Sequence, residues 1–181
     1  MGALVEEVCV RQVWYCVAMS LDGFIGGPKG EYDWIPAEPE IDWGTFMGRF
    51  DTVLIGRRSY DAALAGPGIM PGMQTFVFSR TLRAEDHPGV TIVNDDNLAD
   101  TLASLRRTSG KEIWLFGGGD LFRSLLQLGE VDKIEVGLAP VLLGQGIPFL
   151  PGLNRIAPLR LIETRRYPSG ILMLTYDVAK V

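Results

Sequence analysis

A single histidine, two cysteines and no block of lysine or arginine leave several chemistries without material in this 181-residue chain. His87 stands before Pro88 in the polar stretch EDHPG, a poor place for a catalytic base. Cys9 and Cys16 lack CxxC spacing and have no clustered histidines to join them, so neither a disulfide nor a metal site is expected. Cys16 lies in the apolar run VWYCVAM and reads as core. The net charge of −5 without a basic run argues against nucleic acid as a partner. No apolar stretch approaches the ~18 residues of a membrane helix. MGALVEEVCVRQ carries acids where a secretion signal needs bases, and its Met-Gly start has Glu6 where myristoylation needs Ser or Thr. The expectation is a cytoplasmic protein with no membrane segment. Two phosphate-binding fingerprints are missing as well. GGGDLF has Phe122 where the last glycine of GxGxxG belongs, and no GK[ST] loop occurs.

What is present is an ordinary balance of 47% apolar and 22% charged residues, long enough for one full core. Residues 1–181 read as a single domain, with 1–12 an extension before the first apolar run. Strands are expected at 13–19, 52–55, 75–78, 90–93, 113–116 and 133–138, and a closing antiparallel pair at 159–164 and 171–176 around the turn YPSG. Helices are expected over 40–50, after GRRS from 56 onward, over 97–107 and over 121–128. The stretches SLDGFIGGPKGEYDW, GPGIMPGM and PVLLGQGIPFLP read as loop or irregular link. Strands alternating with helices give an α/β fold: a mostly parallel sheet covered on both faces, with a hairpin at its C-terminal edge.

Ligands in such sheets collect beyond the carboxyl ends of the strands. Three of those ends carry anion-binding chemistry. TVLI is followed by Gly56-Arg57-Arg58-Ser59, TFVF by Ser79-Arg80, and EIWLF by Gly117-Gly118-Gly119-Asp120. Three consecutive glycines weaken regular structure, so their use here implies that something approaches the backbone closely. A helix start beside them offers free N–H groups to a phosphate, and the arginine fork suits a phosphate monoester.

The segments VAMSLDGFIGG, DTVLIGRRSYD, VFSR, IWLFGGGDLFRSLL and VDKIEVGLAPVLLGQGIPFLP, in this order, resemble the dihydrofolate reductase-like superfamily. They are closest to the reductase domain of the riboflavin-biosynthesis deaminase-reductase and its stand-alone relatives. The likeness covers about residues 13–177, and the HxE…PCxxC zinc signature of a deaminase is missing. It implies a central mixed sheet of about eight strands and NADPH as cofactor. By the same likeness Arg57 and Arg80 face the 2′-phosphate with Ser79 beside it, and Ser59 meets the pyrophosphate. Gly117, Gly118 and Gly119 lie against the pyrophosphate and ribose, and Asp120 and Leu121 open the helix above. Gly117-Gly118 is the natural place for the cis Gly-Gly peptide of dihydrofolate reductases.

The substrate half is less defined. Dihydrofolate reductases hold the pterin with a carboxylate near the start of the second helix, and Asp42 with Phe46 repeats that acid-to-Phe spacing, although Glu38 or Glu40 fits the place as well. Each is equally a helix-start charge favoured by the dipole. Asp22 in SLDG is the other catalytic candidate, or a turn former. Ser20 neighbours the substrate in the riboflavin-pathway enzymes, and Trp34 and Trp43 offer flat faces for a heterocycle. The expected function is an NADPH-dependent reductase of a C=N or C=O in a small heterocycle, pyrimidine- or pterin-like. A true dihydrofolate reductase and a non-catalytic NADPH-binding module are the alternatives. Domains of this kind pair as homodimers, and the apolar LLGQGIPFLP segment is a candidate interface.

Overall fold

In the computed structural model, which describes residues 10–66 and 68–179, eight strands form one sheet. In chain order they are β1 (Val13–Ser20), β3 (Phe50–Gly56), β4 (Gln74–Phe78), β5 (Thr91–Val93), β6 (Glu112–Gly117), β7 (Lys133–Ala139), β9 (Leu159–Arg166) and β10 (Leu172–Val178). Two short strands, β2 (Phe24–Gly26) and β8 (Ile147–Pro148), pair separately. The sheet order is β5-β4-β3-β6-β1-β7-β10-β9. It is parallel from β5 through β7, and β10 then runs antiparallel to both β7 and β9. The eight strands and the C-terminal hairpin expected from the sequence are therefore present.

Strand alternation sorts the core into two layers. Leu54, Ile113, Leu115, Val136 and Tyr15 point to one face, where they pack with α3 (Leu98–Arg107) and α4 (Gly119–Gln127). Val53, Ile55, Trp114 and Cys16 point to the other, beneath α1 (Trp43–Gly48) and α2 (Arg57–Ala65). Tyr15 stacks on Phe122 of α4 with ring centroids 3.9 Å apart. Cys16 is buried as expected, and burial pushes its thiol well above the usual range. Cys9 lies outside the described residues.

Three local readings are corrected. The loop around SLDGF contains β2, and the link PVLLGQGIPFLP contains β8; together they form a two-stranded ribbon too short for a visible period. The helix expected over 40–50 is only six residues long, since Asp42 caps its start, Gly44 weakens its first turn and Gly48 ends it. α4 begins at Gly119, two residues before its apolar pattern does. Arg11, within the segment read as an extension, is buried. Its guanidinium bonds Asp51, the Thr52 hydroxyl at 2.8 Å and the Lys111 carbonyl.

Candidate functional site

Parallel pairing aligns the carboxyl ends of β3, β4 and β6: Gly56 lies opposite Phe78, and Ile55 opposite Gly117. The segments leaving these strands are thereby forced together. A Cβ added to Gly56 would sit 3.5 Å from the Gly117 carbonyl and 3.6 Å from the Gly118 nitrogen, and one added to Gly118 would touch the Ser59 hydroxyl at 3.4 Å. The Gly117-Gly118 peptide is cis, and Gly117 has φ +128°, a conformation that glycine alone adopts readily.

Two helices start side by side here. The N-cap positions are Gly56 for α2 and Gly118 for α4, and neither start carries a side-chain cap. The first N–H to close a helical bond in α4 is that of Phe122, 3.1 Å from the Gly118 carbonyl. The N–H groups of Gly119, Asp120 and Leu121 precede it and have no acceptor within the helix. The Leu121 side chain is core, which leaves only its backbone N–H for a ligand. At α1, by contrast, the Asp42 carboxylate accepts from the Thr45 N–H at 2.9 Å and from its hydroxyl at 2.7 Å.

The guanidinium of Arg57 is held twice. Nε donates to Asp61 at 2.7 Å and Nη1 to the Thr81 hydroxyl at 2.9 Å. Ser79 is buried, and its hydroxyl accepts from the N–H groups of Thr81 and Leu82 at 3.2 and 3.1 Å. Arg80 follows on the exposed surface. Arg58 is 94% exposed at its side chain and lies 3.9 Å from Asp120, so α2 and α4 also meet at their outer rim. Gly119 has a different neighbour. A Cβ there would fall 2.6 Å from the Pro148 carbonyl oxygen and 2.8 Å from Pro151 Cδ, so this third glycine admits the segment after β8.

At the end of β1, Ser20 is fully buried, donates to Asp22 at 2.6 Å and accepts from the Phe24 N–H at 3.0 Å. Asp22 also accepts from the N–H groups of Leu143 and Gly144, which ties the β1–β2 turn to the segment after β7. The Ser20 hydroxyl and then these backbone donors hold the Asp22 carboxyl at about 2. Glu38 is buried and bonds Ser169 in the β9–β10 turn, which with the Glu40 N–H lowers its carboxyl. Asp42 is lowered by its cap bonds to Thr45.

Among the predicted stacking residues, Trp34 donates to the Glu31 carbonyl at 2.8 Å and is half-buried. Trp43 is exposed, edge-on to Phe46 at 5.7 Å. Phe46 packs inward on Phe50 and Trp114. The structure thus gathers Gly56 through Ser59, Ser79, Arg80 and Gly117 through Leu121 at one end of the sheet. Ser20, the last residue of β1, and Asp22, in the turn after it, lie at that same end. Sequence reasoning missed Thr81, Asp61 and the Pro148 backbone. Only Asp61 had a local signal, four residues after Arg57 on one helix. Among the described residues no group of three or more His, Cys, Asp or Glu side chains is placed to hold a metal, and no helix is long and apolar enough to cross a membrane.

Sheet order and C-terminal hairpin give an α/β fold of the dihydrofolate reductase-like kind. Dihydrofolate reductase from Enterococcus faecalis, solved with NADP(H), has this fold at a TM-score of 0.64 and 17% identity, over 92% of this chain and 96% of its own. The family model of the RibD C-terminal domain matches residues 11–173, and the chain belongs to that family, a reductase-like one. The uncharacterised protein YyaP of Bacillus subtilis (strain 168) is 32% identical over 92% of this chain and 94% of its own length. A crystallised Shewanella sp. PV-4 protein ascribed to riboflavin biosynthesis superposes with a TM-score of 0.78 at 26% identity, over 93% of this chain and 99% of its own.

Proposed function

We propose that the chain is an NADPH-dependent reductase that delivers hydride to a C=N or C=O of a small heterocycle, of the ribosylamino-pyrimidine kind reduced in riboflavin biosynthesis. The observation that carries this reading is the pair of uncapped helix starts at Gly56 and Gly118, in contact with one another beside Arg57 and Ser79. Free N–H groups, a hydroxyl and a tethered guanidinium fit an anionic dinucleotide. Ser59, Gly56 and Gly117 through Leu121 would hold the pyrophosphate and ribose. Arg57, Ser79 and Arg80 would hold the 2′-phosphate, with Arg58 at the rim. When bound, NADPH supplies the hydride.

The chain's own residues bind and orient. Asp22 and Ser20 fix the turn at the end of β1. Asp42, an exposed anion at the start of α1, is assigned to the amino N–H groups of the heterocycle, and Trp43 beside it to the ring face. Bonds to donors hold both aspartates in the anionic form, so proton delivery is assigned to water. A second copy of the chain is the proposed partner.

The test is a titration of the protein with NADPH and, separately, NADH, followed by tryptophan fluorescence. NADPH is expected to bind more tightly by at least tenfold, on the order of one charge-assisted contact. Binding of neither would overturn the reading. Binding without oxidation of NADPH, with dihydrofolate and the ribosylamino-pyrimidinone both supplied, would favour the non-catalytic module.

A further inference from the structure

The Arg57–Asp61 ion pair is exposed on both sides, and a surface pair of this kind fixes a guanidinium weakly. A second tether comes from a residue 24 positions away. The Thr81 hydroxyl accepts from Arg57 Nη1 at 2.9 Å and lies 3.5 Å from the Ser79 hydroxyl. Thr81 is itself held, because its N–H donates to Ser79, whose own N–H donates to the Val93 carbonyl at 3.0 Å. The chain of bonds runs from the buried Val93 at the end of β5 through Ser79 and Thr81 to the guanidinium on α2.

Donor accounting shows what this leaves. Asp61 and Thr81 occupy Nε and Nη1, and none of the described contacts takes Nη2. The Ser79 oxygen already accepts two N–H groups, so lone-pair counting makes Ser79 the donor in its 3.5 Å contact with the Thr81 hydroxyl and leaves the Thr81 proton available for a ligand. Two donors, Arg57 Nη2 and Thr81 Oγ1–H, therefore remain on one exposed spot. That is the chemistry of a phosphate monoester site.

We propose that Thr81 is a specificity-determining positioning residue: it orients Arg57 and adds a hydroxyl donor for the 2′-phosphate, and so sets the preference for NADPH over NADH. The inference rests on the cofactor reading above. It is tested by titrating wild type, Thr81→Val, Thr81→Ser and Arg57→Ala with both dinucleotides. Valine keeps the branched shape at an exposed position, so folding is preserved.

Thr81→Val is expected to weaken NADPH about tenfold while leaving NADH unchanged, and Thr81→Ser to retain most of the preference. Arg57→Ala is expected to lose at least as much for NADPH as Thr81→Val does. If wild type prefers NADPH and Arg57→Ala abolishes that, while Thr81→Val keeps it or weakens both dinucleotides equally, Thr81 loses this role and the cofactor reading stands. Binding of neither dinucleotide by wild type overturns both.

Discussion

Asp22 and Asp42 both stand below the ordinary carboxylate range, and their neighbours differ. Asp42 is bonded only within its own helix start, as the cap of Thr45. Asp22 is surrounded by donors from two segments, and its carboxyl falls from 3.8 to about 2. A carboxyl lowered by folding stabilises the folded state above its unfolded pKa of about 3.9. That stabilisation is lost as the pH falls through the folded value. Asp22→Ala is therefore expected to unfold at lower urea than wild type at neutral pH, with the gap narrowing between about pH 4 and pH 2. A gap unchanged at pH 2 would locate the effect in packing rather than in charge. The SLDG motif thus made its aspartate visible in the sequence. Its partners Leu143 and Gly144 were not visible, because only the β1–β7 pairing brings them within reach.

At the scale of elements, what could be read depended on period and length. Long buried strands such as β1, β3 and β6 announce themselves by their apolar runs. β2 and β8, with three and two residues, have no room for a period. The apolar pattern of α4 begins two residues late because Gly119 and Asp120 carry no apolar signal, yet those residues form its uncapped start. The three glycines were legible as a close approach, but one of the things that approaches is the chain itself. Gly119→Ala would drive a Cβ against the Pro148 carbonyl and Pro151, both backbone-bound atoms that cannot swing aside. It is expected to cost roughly 1–3 kcal/mol in urea unfolding. Gly48→Ala, at the end of α1 with nothing near its Cβ, should instead be neutral or stabilising by about 0.5–1 kcal/mol. Equal effects at the two positions would show that the β8 segment yields to Gly119.

The whole molecule has two sheet edges of unlike character. β5 is three residues long and offers little to pair with. β9 is eight residues long, exposed along its whole length, with Leu159, Leu161 and Ile162 at 44%, 52% and 44%. Charges at Arg160, Glu163, Arg165 and Arg166, and the register shift between β10 and β9, are the devices that blunt an edge against open-ended stacking. They do not cover the leucines. A closed two-fold assembly would, since one patch then meets its own copy and growth stops. The LLGQGIPFLP segment is the other candidate for this role: Phe149 and Leu150 pack onto the core, while Leu142 and Ile147 stay exposed. We therefore expect light scattering to find a dimer that dissociates on dilution, and Leu161→Lys to shift it toward monomer while NADPH affinity holds. Dissociation by Leu142→Lys with Leu161→Lys inert would move the interface to the β7–β8 link. Monomer alone at every concentration would remove the partner, and the exposed leucines would then need no cover.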